Sequence, residues 1–146
     1  MELKEGISIF LDTAPIIYFI EEHPLYSGLM DGVISKATNN RIKIITSIIT
    51  FIEVMTKPYK LRQMELVKTY QNFFYNSQNF SVVDLNPNIA LLTAKIRADF
   101  NFKLPDAVQL AIFEFMGLDL FLTNDVQLKR YNENKVIILS EVHSIS

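Results

Sequence analysis

Short apolar runs that alternate with stretches of helical period constrain this chain more than any other feature. Residues 7–11, 42–47, 80–85, 119–123 and 136–139 are brief runs rich in Ile, Val, Phe and Leu, the pattern of strands covered on both faces. Between them, residues 13–22, 25–39, 48–56, 61–77, 87–100 and 105–115 carry apolar positions at helical spacing. Helix starts are marked by Asp12-Thr13 ahead of Pro15, by Pro87 and by Pro105, and a stop is marked by Gly117. Pro58 is expected just past the end of the helix at 48–56. Strands joined through helices run parallel, and a parallel sheet must be covered on both faces. The expectation is an α/β domain with a central parallel sheet of about five strands, residues 7–11 at its centre, and helices on both faces. In such sheets ligands gather beyond the carboxyl ends of the strands.

The 146 residues suit one domain, 1–146. A chain of this size buries roughly 70% of its unfolded surface and needs no disulfide or structural zinc. The lack of cysteine excludes disulfide scaffolds, thiolate metal sites and cysteine nucleophiles. No Lys/Arg-led apolar segment opens the sequence, and the longest apolar stretch, 42–54, is broken by Lys43, Thr46, Ser47, Thr50 and Glu53. Neither a signal peptide nor a membrane span is expected, and the chain reads as cytoplasmic. Hydrophobic residues make up 49% of the chain and mean hydropathy is +0.18, so part of that surface is expected in an oligomer or partner interface. The net charge of -2 excludes nucleic-acid binding by bulk charge and leaves local basic patches or metal ions to do it.

Four carboxylates stand out, three of them where the sheet rule places a ligand. Asp12 directly follows the strand at 7–11, and Asp125 lies two residues past the strand ending at Thr123. Glu53 is about two turns into the helix after the strand ending at Ser47, and Asp106 is in the first turn of the helix opened by Pro105. Taken singly, Asp12 reads equally as a helix cap, Asp106 as a first-turn acid favoured by the helix dipole, and Asp125 as a turn residue. Glu53 is less ordinary, because Phe51, Ile52, Val54 and Met55 around it are apolar. Asp12, Glu53 and Asp125 lie at a strand carboxyl end or just after one, and Asp106, at a helix start, can face the same edge, so the four are read together as a set. Two unit charges about 4 Å apart repel by about 4 kcal/mol at an effective dielectric of 20, so such a cluster must hold protons or cations. Oxygen-only ligands suit Mg²⁺ or Mn²⁺, which can activate water and stabilise charge on a phosphoryl oxygen. His23 and His143 read as surface residues in a loop and in the C-terminal tail.

From residue 9 to residue 139 the sequence resembles a PIN-domain ribonuclease, most closely the VapC-type toxins of toxin–antitoxin pairs. Phe10-Leu11-Asp12-Thr13 with Ile17-Tyr18 matches the first acidic motif of that family. Ser47 to Val54 matches its Ser-x-x-Thr-x-x-Glu motif, Leu104-Pro105-Asp106-Ala107 with Leu110-Ala111 the third, and Leu122-Thr123-Asn124-Asp125 the last. The stretch after Asp125, Val-Gln-Leu-Lys-Arg, departs from the acidic-then-Phe pattern frequent there, and Ile112-Phe113 replaces a small residue. The resemblance implies a metal-dependent endoribonuclease in which Asp12, Glu53, Asp106 and Asp125 bind one or two Mg²⁺ or Mn²⁺ ions. Thr13, Ser47, Thr50 and Thr123 would support them from behind, or serve only as caps and turn donors. It also implies a homodimer and a protein antitoxin packed across the helices at 13–39 and from Leu61, often with a basic side chain near the acidic pocket.

Other readings fit less well. A haloacid-dehalogenase-type phosphatase needs a second Asp where Ala14 stands, and a receiver domain needs an early acidic pair and a late Lys. A PIN nuclease of RNA processing and a catalytically silent PIN-fold binding module remain as alternatives to the toxin. For RNA contact the sequence offers Lys57, Lys60 and Arg62, then Lys103, then Lys129 and Arg130, each of which reads equally as solvated surface charge.

Overall fold

The computed structural model describes residues 1–146 and contains five strands: β1 (Ser8–Leu11), β2 (Lys43–Ser47), β3 (Phe80–Val83), β4 (Leu120–Thr123) and β5 (Val136–Ile138). They form one sheet in the order β3-β2-β1-β4-β5, every pair parallel, with β1 in the middle as expected. Phe10 on β1 sits opposite Ile45 on β2 and Phe121 on β4. Side chains alternate between faces along a strand. Phe10, Ile45 and Phe121 therefore share one face, where the Phe10 and Phe121 rings stack at 4.9 Å. Ile9, Leu11, Ile44 and Leu122 serve the other.

Six α-helices cover these two faces. α1 (Thr13–Ile20), α2 (Ser27–Thr38), α3 (Ile48–Lys60) and α4 (Met64–Asn76) supply Ile16, Met30, Val54 and Tyr70, among others, to the first core. α5 (Pro87–Phe100) and α6 (Leu104–Phe115) supply Ile89, Ile96 and an unbroken buried run from Ala107 to Phe113 to the second. With that run buried on every side, α6 is enclosed by the sheet, α3 and α5. Start signals act as expected: Asn86 caps α5 ahead of Pro87, its side chain accepting from Ile89 N at 2.9 Å.

One local expectation is corrected. α3 does not stop before Pro58 but runs through it to Lys60. A proline inside a helix costs about 3 kcal/mol. Here Pro58 forgoes the one bond its N–H would have given to the Val54 carbonyl, and its ring is buried on the same side as Val54 and Met55, which offsets part of that cost. The residues after Asp125 fold into 3₁₀ turns over Val126–Tyr131, which no local signal in the sequence marks.

The topology creates a crevice. From β1 the chain moves outward to β2 and then β3. It returns through α5 and α6 to β4, on the far side of β1. The strand order thus reverses between β1 and β4, and in open α/β sheets the space beyond the carboxyl ends at such a point is where ligands bind. No helix is long and apolar enough to cross a membrane.

Candidate functional site

Asp12 is the first residue past β1 and stands at the mouth of that crevice, buried to 9% exposure. It caps α1 and also serves the site. Its Oδ1 accepts from Thr13 N at 2.9 Å and from Gln109 Nε2 at 3.3 Å, and its Oδ2 accepts from Thr123 Oγ1 at 2.7 Å. Burial pushes the Asp12 carboxyl above the usual range; the hydrogen bonds pull it back, and the charge of Asp125 adds to the rise. Thr123 closes β4, and its Oγ1 also accepts from Asp125 N at 3.1 Å, tying the two acidic positions through one hydroxyl. Asp125 is exposed and caps the following 3₁₀ turn, its Oδ1 accepting from Gln127 N at 3.0 Å.

Glu53, on the second turn of α3, accepts from Thr13 Oγ1 at 3.3 Å. Its carboxyl is pushed up by burial and then by the charge of Asp12. Asp106 is half-buried in the first turn of α6. Its carboxyl is pushed up to about 6, first by burial and then by the charges of Asp12, Asp125 and Glu53, against a smaller pull from Lys103. All three other carboxylates thus act on Asp106, and residues drawn from β1, α3, α6 and the β4 end meet around one space. As they stand, no three converge tightly enough to hold a metal ion. The donor set nonetheless fits a hard divalent cation: it is all oxygen, mutually repulsive and short of positive charge.

The hydroxyls divide into two groups. Thr13 and Thr123 touch carboxylates directly. Ser47 and Thr50 reach Asp12 only through Gln109, whose Nε2 donates to Thr50 Oγ1 at 2.6 Å and whose Oε1 accepts from Ser47 Oγ. Gln109 is the residue that sequence reasoning missed. Its signal was an amide inside the apolar run Val108-Gln109-Leu110, three positions after Asp106 and so on the same helical face. Asn124 is a further polar link, donating from Nδ2 to Tyr18 OH at 3.1 Å.

The basic residues are placed unevenly. Lys103, at the start of α6, is the one whose charge is felt at Asp106. Lys57, Lys60 and Arg62 are exposed around the end of α3 and form no ion pair. Lys129 is engaged with Glu141 at 2.7 Å, and Arg130 lies over the Phe102 ring at 4.3 Å. His143 is exposed, whereas His23 is half-buried in a stack with Tyr18 and Tyr26, at 4.6 and 4.9 Å.

Comparison with solved structures finds the same fold at low sequence identity. VapBC2 from Rickettsia felis, solved with a DNA fragment from the promoter, has 15% identity and a TM-score of 0.73, covering 90% of this chain and 98% of that one. DNA-bound VapBC from Salmonella typhimurium has 19% identity and a TM-score of 0.73, covering 91% and 98%. A toxin–antitoxin complex from Klebsiella pneumoniae has 19% identity and a TM-score of 0.66, covering 90% and 97%. No curated protein matches the sequence. The PIN domain family matches residues 9–134, which takes in all four carboxylates, and the chain belongs to that family.

Proposed function

We propose that this PIN domain is a divalent-metal-dependent endoribonuclease and the toxin of a toxin–antitoxin pair, acting in the cytoplasm. The observation that carries the reading is the gathering of Asp12, Glu53, Asp106 and Asp125 around one space beyond β1 and β4, where burial first and then the other three carboxylates push Asp106 up. Such an arrangement costs folding free energy and is relieved by a cation. When bound by Asp12, Glu53, Asp106 and Asp125, Mg²⁺ or Mn²⁺ would supply an activated water and charge neutralisation at the phosphate. Asp12, held by three donors, is the fixed member of the set; Glu53, Asp106 and Asp125 lie toward solvent and adjust. Thr123 and Thr13 orient the carboxylates they touch, and Lys103, whose charge is felt at Asp106, would meet a phosphate of the incoming RNA. Water adds to phosphorus as the bond to the 3′ oxygen breaks, leaving a 5′-phosphate.

The partner reading rests on the solved neighbours, which include toxin–antitoxin complexes. A groove of about 420 Å³ lined by Phe19, Ile34, Ile44, Phe73 and Phe80 runs where α1, α2 and α4 meet and suits an apolar antitoxin peptide. Exposed Ile52, Tyr59 and Tyr75 on α3 and α4 leave apolar surface for a homodimer. A second reading, a PIN-fold binding module without catalysis, is favoured by the absence of three carboxylates converged on one point. Incubation of purified protein with RNA separates the two. Cleavage abolished by EDTA, restored by Mn²⁺ and eliminated in Asp12→Asn supports the nuclease. Cleavage that persists in Asp12→Asn at the wild-type rate shows that the four carboxylates are not the catalytic site.

A further inference from the structure

Gln109 is the one buried amide side chain, at 1% exposure, and both ends of its amide are engaged. Nε2 uses its two hydrogens on Thr50 Oγ1 and Asp12 Oδ1, while Oε1 accepts from Ser47 Oγ. The orientation of this amide is dictated by its neighbours. Ser47 Oγ caps α3 by accepting from Thr50 N at 3.2 Å, so its own hydrogen goes to an acceptor, and Gln109 Oε1 is there. That leaves the NH₂ end facing the carboxylate. A reversed amide would set an oxygen against Asp12 and a donor against the Ser47 hydroxyl hydrogen.

Lone pairs decide what this does. A carboxylate oxygen offers about two acceptor positions. Asp12 Oδ1 fills both, one with Thr13 N and one with Gln109; Oδ2 fills one, with Thr123 Oγ1. We propose that Gln109 is a positioning residue that leaves Oδ2 as the single oxygen of Asp12 presented to the cation, and that it fastens the start of α3 and the middle of α6 to the end of β1 in doing so. The proposal rests on the reading of the carboxylates as a metal site. Removing the amide frees Oδ1, unties Asp12 from α3 and α6, and lets the carboxylate turn.

The test is calorimetric titration of metal-free protein with Mn²⁺, with thermal melts in EDTA alongside. Gln109→Leu deletes the donor and the acceptor. Gln109→Asn keeps an amide too short to reach Asp12, and it decides the matter alone should the leucine variant not fold. Ile96→Val, in the core on α5, is the control for a loss of stability without a change at the site. The expected result is Mn²⁺ binding 10–100-fold weaker in the Gln109 variants, the usual effect of losing a residue that orients a ligand, and unchanged in Ile96→Val. Wild-type protein that binds Mn²⁺ no more tightly than both Gln109 variants, or a control weakened as much as they are, overturns the positioning role and leaves the metal site standing. Wild-type protein that binds no Mn²⁺ overturns the metal site itself, and the positioning role with it.

Discussion

Neutralising one carboxylate should stabilise the metal-free protein, and Asp106→Asn is the change to make. The Asp106 carboxyl stands at about 6 in the folded chain against an ordinary 3.8. At about 1.36 kcal/mol per unit, ionising it in the fold costs about 3 kcal/mol. Asp106 is only half-buried, and solvent screening brings this to about 1–2 kcal/mol. One effect opposes the gain: a first-turn Asp favours the helix dipole by about 0.3–1 kcal/mol, which asparagine gives up. Burial and repulsion together are the larger effect, so the net gain is about 1 kcal/mol. For 146 residues at about 2.1 cal/mol/K each, that raises Tm by about 3 °C. The sign with pH follows from the raised value. Between 3.8 and about 6 the folded state binds more protons than the unfolded chain, so metal-free wild type loses stability as pH rises through this window. The advantage of Asp106→Asn is therefore full at pH 7.5, about half as large near pH 5, and nearly gone by pH 4. Mn²⁺ at 100 times its dissociation constant stabilises wild type by about 2.7 kcal/mol and the variant by much less. The assay is thermal unfolding of both proteins in EDTA and in Mn²⁺ at these pH values. If the variant melts no higher than wild type in EDTA at pH 7.5, or its advantage does not shrink on acidification, the carboxylates are not repelling one another in one site.

Other outcomes follow from the same geometry. Thr123→Val removes the hydroxyl shared by Asp12 Oδ2 and Asp125 N, so it should lower stability by about 1–3 kcal/mol, opposite in sign to Asp106→Asn; an unchanged melt would show that the hydroxyl is dispensable. Replacing Lys57, Lys60 and Arg62 by Ala should flatten the salt dependence of RNA binding by about 0.7 in log–log slope for each phosphate that no longer meets a cation, and an unaltered slope would place the RNA elsewhere. Sedimentation should find a homodimer, weakened by Tyr59→Asp and Tyr75→Asp on the exposed α3–α4 surface; a chain that is monomeric throughout would refute the homodimer.

The parts of this architecture that were legible in the sequence are those written in period and punctuation. Asp12 and Asp125 could be assigned to one edge because parallel strands put all carboxyl ends together, and the β1–β4 pairing makes them neighbours. Asp106 was harder, since a helix start can face either edge; only the α6 packing against β1 and β4 settles it. Gln109 was invisible to a reading that sorts α6 into apolar and polar faces, because the helix is buried on all sides and its one interior amide has partners 59 to 97 positions away. Pro58 misled in the opposite direction. A local rule gave a stop at residue 56, and the burial shared with Val54 and Met55 carried the helix four residues further, to Lys60. The half-burial of His23 likewise depends on where α2 returns Tyr26 against Tyr18, which no local signal encodes.

Everything proposed for the four carboxylates requires a cation held where β1 and β4 part. Crystals of the protein soaked in Mn²⁺ and measured at the manganese absorption edge test this directly. The expected map has an anomalous peak bounded by Glu53, Asp106 and Asp125, with Asp12 Oδ2 at about 2.0–2.2 Å, and the peak disappears in Asp12→Asn. A map with no peak at the four carboxylates under saturating Mn²⁺, or with a peak that survives Asp12→Asn unchanged, would contradict the metal site.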